Sequence, residues 1–275
     1  MKPRTVLLSI MLFSSTLLVG QNYVKRSYDL EAFSEINASF IYEIDVYRGD
    51  SHTLELDIPE ELQDDLEIRV TNNTLNLGVT RKEWWRTAKS ALGNRYKVKA
   101  RVIMPVLEGI ELSNLASLYM RDGFTPANFW VRMTGASNAT VNVMTHAANI
   151  DINGASTLEI SGLATITKAY VNGASTLLYK QETEQIELQA GGASTVIMKG
   201  SSISAGLTVS GASQIKAADF ITEKMDLRCS GASGADVHVS GKIGVTAVGA
   251  SRVHIKGNPG FTKTVSRGAS SINTY

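Results

Sequence analysis

Apolar and polar residues alternate with period two along most of the chain, and from about residue 110 the alternation recurs as a unit. Aligned on a glycine, apolar side chains stand four and two positions before it, as in Val131 and Met133, Ile150 and Ile152, Leu207 and Val209, and Leu227 and Cys229. The same parity returns four and six positions after it, as in Leu158 and Ile160, Leu177 and Tyr179, Val196 and Met198, and Val253 and Ile255. Alternation on both sides of a bend predicts two half-buried strands per unit, and a helical period does not fit.

The bend reads Gly-Ala-Ser at Gly135, Gly154, Gly173, Gly192, Gly211, Gly231, Gly249 and Gly268, with separations of 19, 19, 19, 19, 20, 18 and 19 residues. So strict a period predicts a solenoid. A degenerate earlier unit, Ile110, Leu112 and Asn114 followed by Leu118 and Met120, has Asn in the glycine position. Asn tolerates positive φ better than other side chains, so the corner residue is expected to turn the chain in the left-handed conformation. Ala and Ser then fit because successive corners stack about 4.8 Å apart. Strict alternation would put each Ser inside as a ladder of hydroxyls, whereas a parity break at the corner would put Ala there; the sequence leaves both open.

Equivalent strands joined by a full coil run parallel. Gly-Ala-Ser occurs once per coil, unlike the three hexads of a left-handed hexapeptide helix, and the Gly-Gly-x-Gly-x-Asp pattern of calcium-binding rolls is absent. The predicted fold is all-β, a right-handed parallel β-helix over residues 105–275. In the last coil Thr264 and Ser266 replace the apolar pair and follow Pro259-Gly260, which predicts protection against open stacking and a monomer or limited dimer.

Residues 21–104 have a different texture. Phe40 to Tyr47, Thr53 to Ile58, Leu66 to Val70, Leu75 to Val79 and Tyr96 to Met104 read as strands separated by turns, one of them Arg48-Gly49-Asp50. Short strands with tight turns predict an antiparallel region, with Leu66 to Val70 and Leu75 to Val79 as a hairpin. Residues 1–20 read as a signal peptide: Lys2 and Arg4 precede an apolar run from Val6 to Val19, too short to span a membrane comfortably. Export to the periplasm, cell surface or medium is the expectation, with no transmembrane segment in the mature chain.

Lys plus Arg total 27 against 26 Asp plus Glu, which gives no electrostatic case for nucleic acid. The single cysteine, Cys229, cannot form an internal disulfide and falls on the inward parity. The histidines, His52, His146, His238 and His254, do not have metal-binding spacing, and no cofactor is implied.

Candidate chemistry is sparse. Between the last two N-terminal strands, Trp84 and Trp85 stand among Arg81, Lys82, Arg86, Lys89 and Arg95, a set suited to stacking on a sugar or to packing back on the fold. On the β-helix, the outward column five before each glycine runs Trp130, Asn149, Lys168, Glu187, Gly206, Asp226, Gly244. Glu187 and Asp226 would lie about 9–10 Å apart, at the outer limit for an inverting glycosidase pair. In the column five after glycine, Asp236 neighbours His254 with no nucleophile at hand, and Leu178 and Ile197, with Tyr170 and Tyr179 near them, suggest a contact patch.

The apolar leader, the opening strands, the stretch Arg101-Val102-Ile103-Met104-Pro105-Val106-Leu107 and the Gly-Ala-Ser corners together resemble the head GIN domain family of auto-transporter adhesins from Bacteroidetes, over roughly residues 30 to 270. The resemblance implies a secreted or periplasmic β-helical protein of unestablished function. Two functions are carried forward: a non-enzymatic envelope module that binds polysaccharide or an envelope protein, and a carbohydrate-active enzyme using Glu187 and Asp226.

Overall fold

The computed structural model describes residues 23–80 and 97–275. Among the described residues, nineteen strands join one sheet that winds around one continuous apolar core. From β8 (Gly109–Asn114) and β9 (Ser117–Met120) onward the strands stack in parallel: β10 (Asn128–Met133) lies on β8, and β11 (Asn138–Ile152) lies on both β9 and β10. The stack continues through β12 (Thr157–Val171), β13 (Thr176–Ala190), β14 (Thr195–Val209), β15 (Gln214–Gly231) and β16 (Gly234–Gly249). It ends with β17 (Arg252–Lys256), β18 (Gly260–Gly268) and β19 (Ser271–Thr274). This is the parallel β-helix that the spacing predicts. Ile150, Ile152, Leu158 and Ile160, all 2% exposed or less, show how one coil fills the interior.

Every Gly-Ala-Ser glycine has φ between 71° and 83°, and Asn114 takes the same corner position at 61°. The corners also bond to one another. The Gly135 carbonyl accepts the Ala155 N–H at 2.7 Å, the Gly154 carbonyl that of Ala174 at 2.7 Å, and the Gly173 carbonyl that of Ala193 at 2.8 Å. The structure places serine inside. Ser137, Ser156, Ser175, Ser194, Ser213, Ser233 and Ser251 are buried, while the alanines are exposed. Ser137 and Ser156 share a hydrogen bond of 3.1 Å, Ser194 donates to Ser213 at 3.2 Å, and Ser156 also donates to the Asn153 carbonyl at 3.0 Å. Buried hydroxyls are thereby satisfied within the stack, which burial demands.

A second bend divides each long strand, and the sequence did not reveal its chemistry. Thr145, Thr183, Ser202 and Thr222 are buried there; Thr145 donates to the Ala127 carbonyl at 3.0 Å, and Ser202 and Thr222 share a bond of 3.0 Å. The 20- and 18-residue repeats are absorbed in the same place, as register shifts between Ile197 and Lys199 and around Ala217 to Lys224.

The N-terminal region contains antiparallel pairs. β1 (Tyr23–Asp29) pairs with β4 (Thr53–Pro59), β4 with β7 (Val98–Met104), and β5 (Leu66–Thr71) with β6 (Thr74–Val79), the last being the predicted hairpin. Parallel pairs occur beside them. β2 (Glu35–Phe40) lies between β6 and β8, and β3 (Tyr42–Arg48) between β7 and β9. The chain therefore lays down one coil, returns beneath it with β6 and β7, and then steps across it to β8. Phe40, with φ 76°, turns that coil in register with Asn114. The turn after β3 is tied down, since the Gly49 N–H donates to the Met104 carbonyl at 3.1 Å and the Arg48 N–H to Asp122 at 2.9 Å.

At the other end, Thr264 and Ser266 of β18 are exposed and Ser266 bonds Ser270 at 2.8 Å, although Phe261 of the same strand is exposed as well. The expected signal peptide, residues 1–20, lies outside the described residues. No described helix is long and apolar enough to cross a membrane.

Candidate functional site

Strand register sets the outward columns. Trp130, Asn149, Lys168, Glu187, Gly206, Asp226 and Gly244 are successive partners, as the spacing predicts. Glu187 and Asp226 are both exposed, with Gly206 between them. Asp226 is engaged by Arg228 at 2.6 Å, two residues along its own strand. The two carboxylates thus stand on a column whose intervening residue has no side chain. Exposed ion pairs of this kind contribute little to stability.

In the column five after glycine, Asp236 and His254 are partners with Oδ1 and Nδ1 3.0 Å apart, both about half exposed. Among the described residues no three of His, Cys, Asp and Glu converge in a way that could hold a metal.

The expected contact patch does not form. Leu178 and Ile197 are neighbours, yet Tyr170 occupies a different outward column, three before glycine, and Tyr179 is fully buried. Tyr179 lies six after its glycine, on the inward parity, and its hydroxyl is held by Thr167 at 2.9 Å. Burial pushes this phenol up to about 12.

Trp84, Trp85, Arg81 and Arg86 lie outside the described residues, between the end of β6 at Val79 and the start of β7 at Val98.

Cys229 is 2% exposed, and burial raises its thiol to about 11. The protonated thiol is favoured by folding; this contribution is full below the ordinary value of 9.0 and is lost as pH rises through about 11. We expect the native protein to resist iodoacetamide at pH 8 and to be alkylated rapidly once unfolded in urea. Fast native labelling, followed by mass spectrometry, would show that the coil around Cys229 opens.

One aromatic group on an outer face went unremarked by motif reasoning. Gly109 of β8 pairs with Trp130 of β10, and a Cβ on Gly109 would fall against Cε2, Nε1 and Cζ2 of the indole. The ring therefore lies across the buried glycine. Its Nε1–H donates to Glu35 at 3.3 Å, and Glu35 is held in turn by the Thr74 hydroxyl at 2.7 Å. Arg132 places its guanidinium 6.0 Å from the ring centroid and 3.9 Å from Glu111. The signal available in the sequence was a glycine directly under a tryptophan, visible only once β8 and β10 are known to pair.

No functionally curated protein matches the chain. Solved structures share its fold at low identity. A "Putative lipid binding protein" from Parabacteroides distasonis is 18% identical, with a TM-score of 0.66 over 92% of this chain and 97% of the other. A "putative adhesin" from the same organism is 13% identical, with a TM-score of 0.67 over 93% and 98%. A "putative adhesin" from Parabacteroides merdae is 12% identical, with a TM-score of 0.63 over 92% and 96%. The family model described as "Putative auto-transporter adhesin, head GIN domain" matches residues 32–181 and 167–259. With its repeated corners, its single β-helical core and this match across most of its length, the chain belongs to the head GIN domain family.

Proposed function

We propose that the protein is an exported, non-enzymatic β-helical module of the cell envelope that binds glycan or protein partners in an adhesin-like way. The observation that carries this is the use of the repeated residues. Seven of the eight corner serines are buried inside the stack, every corner glycine makes a left-handed turn, and the residues that vary from coil to coil are those on the outer columns. A rigid rod with variable columns suits display and contact. Family membership and the adhesin names of structural neighbours point the same way, toward an extracellular or envelope location.

Deletion in the producing cells should reduce their attachment to polysaccharide-coated surfaces, and the tagged protein should be cleaved by protease added to intact cells if it is surface-exposed. Unchanged attachment in the deletion strain would remove the adhesin function. In the same assay, and on a glycan array, the Trp84→Ala/Trp85→Ala double variant is expected to bind roughly fivefold or more weakly, given the usual contribution of an aromatic contact. Equal binding would remove that segment from the contact surface.

A further inference from the structure

We propose that Trp130 and the polar side chains around it form a stacking platform for a neutral pyranose ring, so that the outer face near β8 and β10 is a glycan-binding site. This assignment deepens the adhesin-like function and rests on it.

The platform is set by backbone pairing. Glu35, Gly109, Trp130 and Asn149 are successive partners in one outward column, and Asn37, Glu111 and Arg132 are successive partners in the next. Trp130 is partly exposed; Gly109 lies under one side of its indole and the Arg132 guanidinium stands over the ring, 6.0 Å from its centroid, so a pyranose would stack on the ring beside that guanidinium. The hydrogen bond to Glu35 fixes the ring before any ligand arrives, so little rotamer freedom remains to be lost on binding.

A pyranose presents a face of C–H groups, which carry slight positive charge and suit the negative π-face of an indole. Its rim carries hydroxyls that both donate and accept, and so needs both kinds of partner. Carboxylates at Glu35 and Glu111 accept, the Arg132 guanidinium donates, and the amides of Asn37 and Asn149 do both. Glu35, Glu111, Arg132 and Asn37 already have protein partners; hydroxyls can join those bonds, whereas an acyl chain or apolar peptide would only cut the groups off from water. Polyanions are disfavoured as well, because two carboxylates flank the ring against one guanidinium. A neutral glycan is the ligand class that suits both the ring and its mixed donor and acceptor rim.

The experiment uses the full chain on an array of neutral and uronic-acid oligosaccharides that includes cello-, malto- and chito-hexaose. It is followed by fluorescence titration with whichever neutral oligosaccharide is retained. Total tryptophan emission follows the wild-type chain, and isothermal titration calorimetry gives the affinity of the variants that lack Trp130. A saturable emission shift is expected, with affinity at least tenfold weaker in Trp130→Ala, mostly retained in Trp130→Tyr, and weakened in Gly109→Val, which pushes the ring off its seat. Circular dichroism melts keep loss of binding separate from loss of fold. Retention of no neutral oligosaccharide, binding to uronic acids alone, or unchanged affinity in a folded Trp130→Ala variant would each overturn the site. If Trp130→Ala binds normally while the deletion strain still loses attachment, this inference fails and the adhesin-like function stands. Unchanged attachment in the deletion strain sinks that function itself.

Discussion

Gly192→Val is expected to lower unfolding stability by about 3 kcal/mol or more, since left-handed backbone alone costs a β-branched residue on the order of 1–3 kcal/mol. Gly192 has φ 73°, and a Cβ there would sit 2.7 Å from the Gly173 carbonyl oxygen and 3.0 Å from its N–H nitrogen. That carbonyl already accepts the Ala193 N–H at 2.8 Å, so relief of the clash lengthens a rung of the corner ladder. Two independent penalties act on one atom. Gly206→Ala supplies the comparison: its φ is not positive, and the nearest atom to an added Cβ is Glu187 Cγ at 4.0 Å. That variant should change stability by no more than about 1 kcal/mol, in either direction. Urea denaturation of both variants checks the pair, and equal behaviour would show that the stacked corner is not the source of the glycine requirement.

Phe220→Ala is expected to cost about 3–5 kcal/mol, the usual range for removing a buried aromatic ring. Phe220 is fully buried, and its ring meets Tyr179 edge-to-face with centroids 5.9 Å apart and planes inclined by 71°. The partner strand in register with Phe220 offers Gly200, which has no side chain, so the ring reaches toward the interior of the coil beyond. In a solenoid each coil is held by its neighbours, so a weakened layer can uncouple the two ends. Unfolding monitored by hydrogen exchange should then show protection falling first in β14 and β15, with a broadened or two-step denaturant transition. A single sharp transition with wild-type midpoint would contradict the packing role given to this ring.

Much of the architecture was legible because it repeats. The inward parity of Leu158, Leu177 and Val196 and the outward column from Trp130 to Gly244 needed only period-two alternation and a constant coil length. Where coil length varied, spacing stopped being informative. The extra residue before Gly231 became a bulge at the second bend, and this brought Phe220 over Gly200 toward Tyr179. Tyr179 itself was misplaced beside Tyr170 although its parity was inward. A phenol that finds Thr167 as a partner can be buried, and no pattern of hydropathy announces that partner.

The sequence by itself determined the parallel β-helix, its coil length, the left-handed corner and the inward apolar columns, because each follows from local periodicity and from one residue type that tolerates positive φ. Only the tertiary structure decided the rest. It chose Ser over Ala for the inside of each corner, since hydroxyl and carbonyl partners become available only when coils stack. It placed β2 and β3 between two coils that come later in the chain, since pairing across 39 to 74 residues is set by which edges meet and leaves no local signal. It laid Trp130 across Gly109, because the fit of a ring on a bare backbone depends on the strand next door.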